Sequence, residues 1–223
     1  AMRPMLLLLA LAGCAHASPQ ATQPNAAVQV VAADSMARRQ LAAVGTVAPG
    51  IRQEVRYATA NNFTSAVLPG YGAAVVLLRR EAAEALGRVQ ARLAAKGMGL
   101  KVWDGYRPVR ATLAMVAWCE RTGRTKLLDD GYIARRSRHN QGVAVDLTLV
   151  ELGSGREFDM GTPFDEFSAR AHTANATGAV AANRRLLVEA MAAEGFTNYF
   201  DEWWHFSVAV PDASPYDLPL ERW

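Results

Sequence analysis

The stretch Ser137-Arg138-His139-Asn140-Gln141-Gly142-Val143-Ala144-Val145-Asp146-Leu147-Thr148-Leu149-Val150 changes character at its glycine. Polar and basic residues precede Gly142. After it, Val143, Val145, Leu147 and Leu149 alternate with Ala144, Asp146 and Thr148. A period of two defines a strand, so Val143 to Val150 predicts a strand with Asp146 on its less apolar face. Burying a lone carboxylate is costly, so Asp146 needs a cation or hydrogen-bond donors. Gly142 permits a bend that brings His139 to the same side. Imidazole nitrogen and carboxylate oxygen are both ligands for Zn²⁺. A strand-edge salt bridge between Asp146 and a nearby arginine is an equally open reading.

Outward from this strand, three segments carry helical periodicity. Glu81 to Lys96 spaces Ala85, Leu86, Val89 and Leu93 along one face and stops at Gly97. Pro108 to Thr122 opens on a proline, tolerated in a first turn, and ends before Gly123. Ala179 to Glu194 carries Leu186, Leu187, Ala190 and Met191 and ends at Gly195. Leu100 to Trp103, Trp204 to Val210 and Val75 to Leu78 are further strand candidates. Helices and strands are intermixed, the crossovers are irregular, and no Gly-rich phosphate loop joins a strand to a helix. The expected class is α+β.

Two more segments hold residues capable of chemistry. In Phe200-Asp201-Glu202-Trp203-Trp204-His205-Phe206, aromatics surround a single histidine. His205 can be plain core, as a lone histidine on an apolar strand usually is. Glu202, three residues ahead, would face the other way in a regular strand but could reach the same pocket from a turn. A carboxylate that contacts an activated water without binding metal is the general base of hydrolytic sites. In Trp103-Asp104-Gly105-Tyr106-Arg107-Pro108, proline keeps Arg107 extended between a strand and a helix. A guanidinium there can aim at an oxyanion, or simply pair with Asp104.

The whole chain has 223 residues, 51% hydrophobic and 20% charged, enough for a real core and unlike a disordered chain. Its net charge of +3 is dispersed, with no Lys/Arg block, so no nucleic-acid partner is expected. Two cysteines exclude a disulfide framework. Residues 1–17 read as a secretory or lipoprotein signal region: Arg3, the apolar run Met5 to Leu11, then small residues. Leu11-Ala12-Gly13-Cys14 has the form of a lipobox, which would make Cys14 a lipidation site and a membrane attachment. Ala15-His16-Ala17 offers an ordinary cleavage site instead. Residues 18–28, rich in Pro, Gln, Ala and Thr, read as a flexible tether reaching roughly 35–40 Å when extended. Residues 29–223 are expected to form one domain. The expected location is outside the cytoplasm, periplasmic or anchored at the outer membrane. Cys119, in a helical pattern, reads as a packed and inert thiol.

The combination SxHxxGxAxD (Ser137 to Asp146), EWWH (Glu202 to His205) and WDGYRP (Trp103 to Pro108) resembles the VanX-type D-alanyl-D-alanine dipeptidases, within a wider group of zinc D,D-peptidases. Arg56 to Thr64, Met160 to Asp165 and His172 to Leu187 extend the likeness, which runs from about residue 51 to 216. The resemblance implies a single compact domain with a central, largely antiparallel sheet flanked by helices. It implies one Zn²⁺ on His139, Asp146 and His205, with Glu202 as general acid/base and Arg107 as oxyanion stabiliser. Asp165, with Tyr57 nearby, would bind the substrate ammonium, and Ser137 would line the pocket. His172 is outside the implied ligand set. The implied substrate is a small D,D-dipeptide. A D,D-carboxypeptidase on wall peptides, or an inactive zinc-containing lipoprotein that binds wall fragments, are the alternatives. The basic segment between Glu120 and Ser137 departs from the family pattern and is expected to be a solvated loop.

Overall fold

A computed structural model describes residues 33–221. The expected signal region, the tether and Cys14 lie outside the described residues. Along the chain run α1 (Asp34–Gln40), β1 (Leu41–Ala43), α2 (Val44–Val47), β2 (Arg52–Gln53), β3 (Leu77–Arg79), α3 (Arg80–Ala94) and β4 (Met98–Asp104). They are followed by α4 (Val109–Arg121), α5 (Lys126–Asp129), β5 (Ala144–Glu151), α6 (Gly178–Ala192), β6 (Phe196–Asn198) and β7 (His205–Val208). The main sheet has the order β2-β4-β5-β7-β6, and β1 pairs with β3 in a separate two-stranded ribbon. Every pairing in the main sheet is antiparallel except the short parallel edge pair β2–β4. The fold is α+β, as the mixed element order predicts, with the largely antiparallel sheet that the resemblance implies.

The alternating stretch forms β5, the middle strand. Ala144 to Val150 are all buried, so both faces of this strand pack against protein. α3 buries Ala82, Ala85, Leu86, Val89 and Leu93 and packs on β4 and α6. Pro108 caps α4 rather than opening its first turn; with no N–H to satisfy, it fits that end of a helix. Cys119 is fully buried on α4, and burial pushes its thiol pKa up.

Sheet register places the site. β5 pairs with β4 on one side and β7 on the other, so that Asp146 lies opposite both Asp104 and His205. The β4 register shifts between Val102, opposite Leu147, and Asp104, opposite Asp146. One extra residue is thus accommodated on β4. Such a bulge re-aims a side chain, here turning Asp104 to the face that carries Asp146.

Candidate active site

His139 reaches β5 through a short 3₁₀ turn, Arg138–Gln141. Ser137 caps this turn: its Oγ accepts from the His139 N–H at 3.2 Å, and Asn140 Oδ1 accepts from the Ser137 N–H at 3.3 Å. Gly142 ends the turn at φ 69°, in the left-handed region that favours glycine. A Cβ there would lie 2.6 Å from Leu41 Cδ2, so the bend needs glycine for space as well as for torsion. The bend returns His139 to Asp146.

Three atoms then meet. His139 Nε2 is 3.1 Å from His205 Nδ1 and 3.3 Å from Asp146 Oδ1, and His205 Nδ1 is 2.9 Å from that same oxygen. The His139 Nδ1–H donates to the Gly105 carbonyl at 2.7 Å, which leaves Nε2 with its lone pair toward the other two. Tetrahedral zinc with bonds of about 2.0–2.1 Å has ligand atoms about 3.3 Å apart. The triangle therefore fits one zinc in both donor chemistry and size. Among the described residues, this is the one His/Cys/Asp/Glu group gathered closely enough to hold a metal. Burial acts to raise the Asp146 carboxyl, but the two imidazoles overcome it and hold the group well below the usual carboxylate range. Burial lowers His205, favouring the neutral imidazole a metal requires.

Glu202 lies in the turn before β7. Its carbonyl accepts from the His205 N–H at 3.2 Å, closing a tight turn. The carboxylate reaches to 3.9 Å from His205 Nδ1, on the pocket side. Glu202 is buried, and burial together with the negative charges of Asp146 and Asp165 raises its pKa well above the ordinary value.

Arg107 takes the pairing with Asp104 that the sequence left open, at the edge of the cavity. Its Nε and Nη2 donate to Asp104 Oδ2 at 2.9 and 2.8 Å, while Nη2 stands 3.7 Å from Asp146 Oδ2. Its guanidinium also lies over the Tyr57 ring, 5.1 Å from the centroid. Asp104 is the fully buried anchor of this group and takes a further hydrogen bond from Tyr71 Oη at 2.5 Å. Burial raises the Asp104 carboxyl, opposed by Arg107 and His139. Asp104 was visible in the sequence only as a rival partner for Arg107, because a bulge leaves no signature in residue spacing.

Tyr57 Oη donates to Asp165 at 3.0 and 3.1 Å. Asp165 sits at φ 61°, a left-handed conformation that aspartate tolerates better than most residues. Its carboxyl is raised well above the ordinary value by burial and then by Asp146. Arg184 of α6, itself buried, holds the preceding loop: its guanidinium donates to the carbonyls of Met160, Arg170 and His172. Nothing in the sequence pattern singles Arg184 out from other helix arginines.

Tyr57, Arg107, Ser137, His139, Asp146, Asp165, Glu202 and His205 all line one cavity of about 270 Å³. That is below the roughly 300–1,000 Å³ of drug-sized ligand sites, so it suits a small substrate. A larger cavity of about 470 Å³ holds none of these eight. The basic segment before Ser137 is not simply a solvated loop. Gly131, Tyr132, Ile133, Ala134 and Arg136 form part of the small cavity's wall. The segment is drawn in by Ile133, which is buried, and by Tyr132 Oη, 2.9 Å from His172 Nε2. His172 lies apart from the three converging atoms, 3.2 Å from Asp201.

Two imidazoles and a carboxylate around one point, with a buried glutamate beside them in a small cavity, make the constellation of a metal-dependent hydrolase. The peptidase M15 family model, described as D-ala-D-ala dipeptidase, matches residues 37–220, and the chain belongs to that family of metallopeptidases. A D-alanyl-D-alanine dipeptidase of Streptomyces coelicolor is 38% identical over 195 residues, 79% of this chain and 96% of the relative. One of Enterococcus faecalis is 37% identical over 174 residues, 71% of this chain and 86% of the relative. Overlap with solved structures is partial: the LD-carboxypeptidase LdcB aligns with a TM-score of 0.41 at 20% identity, over 61% of each chain.

Proposed function

We propose that the protein hydrolyses free D-alanyl-D-alanine, with one Zn²⁺ held by His139, Asp146 and His205. The observation that carries this reading is the buried Glu202 carboxylate, 3.9 Å from His205 Nδ1, in the same small cavity as the three donor atoms. Bound there, zinc supplies a Lewis acid that acidifies water and polarises a carbonyl. Glu202 takes the proton of the attacking water and returns one to the departing amine. Its raised pKa suits a group that must both accept and release a proton, and a divalent cation nearby opposes that rise. Arg107 has five N–H donors; those not committed to Asp104 and Met115 remain for a carbonyl oxygen as negative charge develops on it. Asp104 fixes the guanidinium, so little reorganisation is needed when that charge appears.

Asp165 and Tyr57 receive the substrate's ammonium. Without a cation in contact, burial pushes Asp165 toward its neutral form, and an ammonium stabilises the carboxylate. An N-acylated peptide offers no such charge, so free amines are selected. The small cavity favours a dipeptide over a wall peptide for the same site.

The test compares D-Ala-D-Ala with its N-acylated analogue on zinc-loaded wild type and Glu202→Gln. Wild type is expected to cleave the free dipeptide. In Glu202→Gln, turnover should fall by on the order of 10²–10⁴ with zinc content unchanged. Release of D-Ala only from the blocked compound would replace this reading with a D,D-carboxypeptidase. Undiminished turnover in Glu202→Gln would remove the proposed base.

We further propose that the domain of residues 29–223 works outside the cytoplasm, after a signal region and tether. The support is the order of Arg3, the apolar run to Leu11 and Cys14 in the sequence. Mass spectrometry of membrane-extracted protein tests this: a lipidated Cys14 at the N-terminus is expected, and a soluble product starting at Ser18 contradicts the anchor.

A further inference from the structure

Three arginines line the small cavity: Arg107, Arg136 and Arg138. Two have other tasks. Arg107 is held by Asp104, with its remaining donors assigned above to the carbonyl oxygen, and Arg138 Nη2 is turned to the Val208 carbonyl at 2.9 Å. Arg136 is exposed, and none of the hydrogen bonds or ion pairs among the described residues involves it. The segment carrying it is nevertheless anchored at both ends. Ser137 is fixed by the capping box of the His139 turn, and Tyr132 is held to His172 at 2.9 Å. The result is a guanidinium without a protein partner on a tethered wall of the site.

A free dipeptide brings two charges into this cavity. Its ammonium has Asp165. Its carboxylate meets three acidic groups, Asp146, Asp165 and Glu202, and needs a cation whose donors are still open. Guanidinium suits this task because its paired N–H groups match the two carboxylate oxygens. We propose that Arg136 binds the C-terminal carboxylate of the substrate and so sets the preference for a free dipeptide over an amidated or extended one. This rests on the dipeptidase reading above and adds a specificity-determining residue to it.

The experiment measures hydrolysis of D-Ala-D-Ala and of its C-terminal carboxamide by zinc-loaded wild type, Arg136→Gln, Arg136→Lys and Arg138→Gln. Wild type is expected to prefer the acid. Arg136→Gln should raise KM for the acid by about 10- to 100-fold, the range for a charge-assisted hydrogen bond, with kcat nearly unchanged and little effect on the amide. Arg136→Lys should recover part of the preference, and Arg138→Gln should keep it. An acid-to-amide preference unchanged in Arg136→Gln, or lost equally in Arg138→Gln, overturns the assignment while leaving the dipeptidase reading intact. Wild type that cleaves neither compound overturns the dipeptidase reading, and this inference with it.

Discussion

At the scale of single residues, the donor set is legible only through the resemblance, since Asp146 and His205 taken alone read as well as a salt bridge and a core residue. His139, Asp146 and His205 are the donors the family resemblance implies, and the fold brings their ligand atoms to within 2.9–3.3 Å of one another. The alternative reading of Asp146, a salt bridge to arginine, survives only as a secondary contact to Arg107 at 3.7 Å. His172 tests the selectivity of this arrangement. It contacts Tyr132 and Asp201 and lies outside the triangle. Zinc content measured by mass spectrometry should stay stoichiometric in His172→Ala and fall in His205→Ala. Equal loss in both, with folding intact, would refute the donor set. What the sequence hid were Asp104 and Arg184. One depends on a bulge in β4, the other on a long side chain reaching three carbonyls of a distant loop, and neither feature follows a short-range pattern.

At the scale of elements, periodicity served the long segments well. The three amphipathic helices and the strands β4, β5 and β7 fall within a few residues of their expected bounds, because a buried stripe or alternating face recurs often enough to be read. The short pieces β1, β2, β6, α2 and α5 carry only two to four residues each and show no period. The parallel pairing of β2 is set by tertiary packing alone. Beyond α6, Glu194 joins two helices: its carboxylate accepts from Arg88 Nε at 2.6 Å and Arg92 Nε at 2.7 Å, both on α3. The hydrogen bond from Arg88 is the main cause of a lowered Glu194 pKa. A carboxylate lowered in the folded state stabilises above its unfolded pKa of about 4.3, and that contribution disappears as pH falls through the folded value. Glu194→Gln should therefore melt slightly below wild type at neutral pH, by the small amount usual for ion pairs with exposed partners, and equally with it in strong acid. A difference that grows on acidification would contradict the assignment.

At the scale of the whole molecule, the sheet gathers groups from distant parts of the chain. β5 and β7 supply Asp146 and His205, the β4–α4 junction supplies Arg107, and the loop after β5 supplies Asp165. The donor atoms are assembled only in the folded state, so metal binding must stabilise the fold. With free zinc at 100 times its dissociation constant the gain is about 2.7 kcal/mol, which for a domain of this size shifts the melting temperature upward by several degrees. A chelator should reverse that shift in wild type and leave His205→Ala unmoved. Whether one zinc sits between two imidazoles and an aspartate is read by anomalous diffraction at the zinc edge from zinc-loaded crystals. A single strong peak is expected about 2.0–2.2 Å from His139 Nε2, His205 Nδ1 and an Asp146 carboxylate oxygen. A peak elsewhere, or none at this triangle, would contradict this placement.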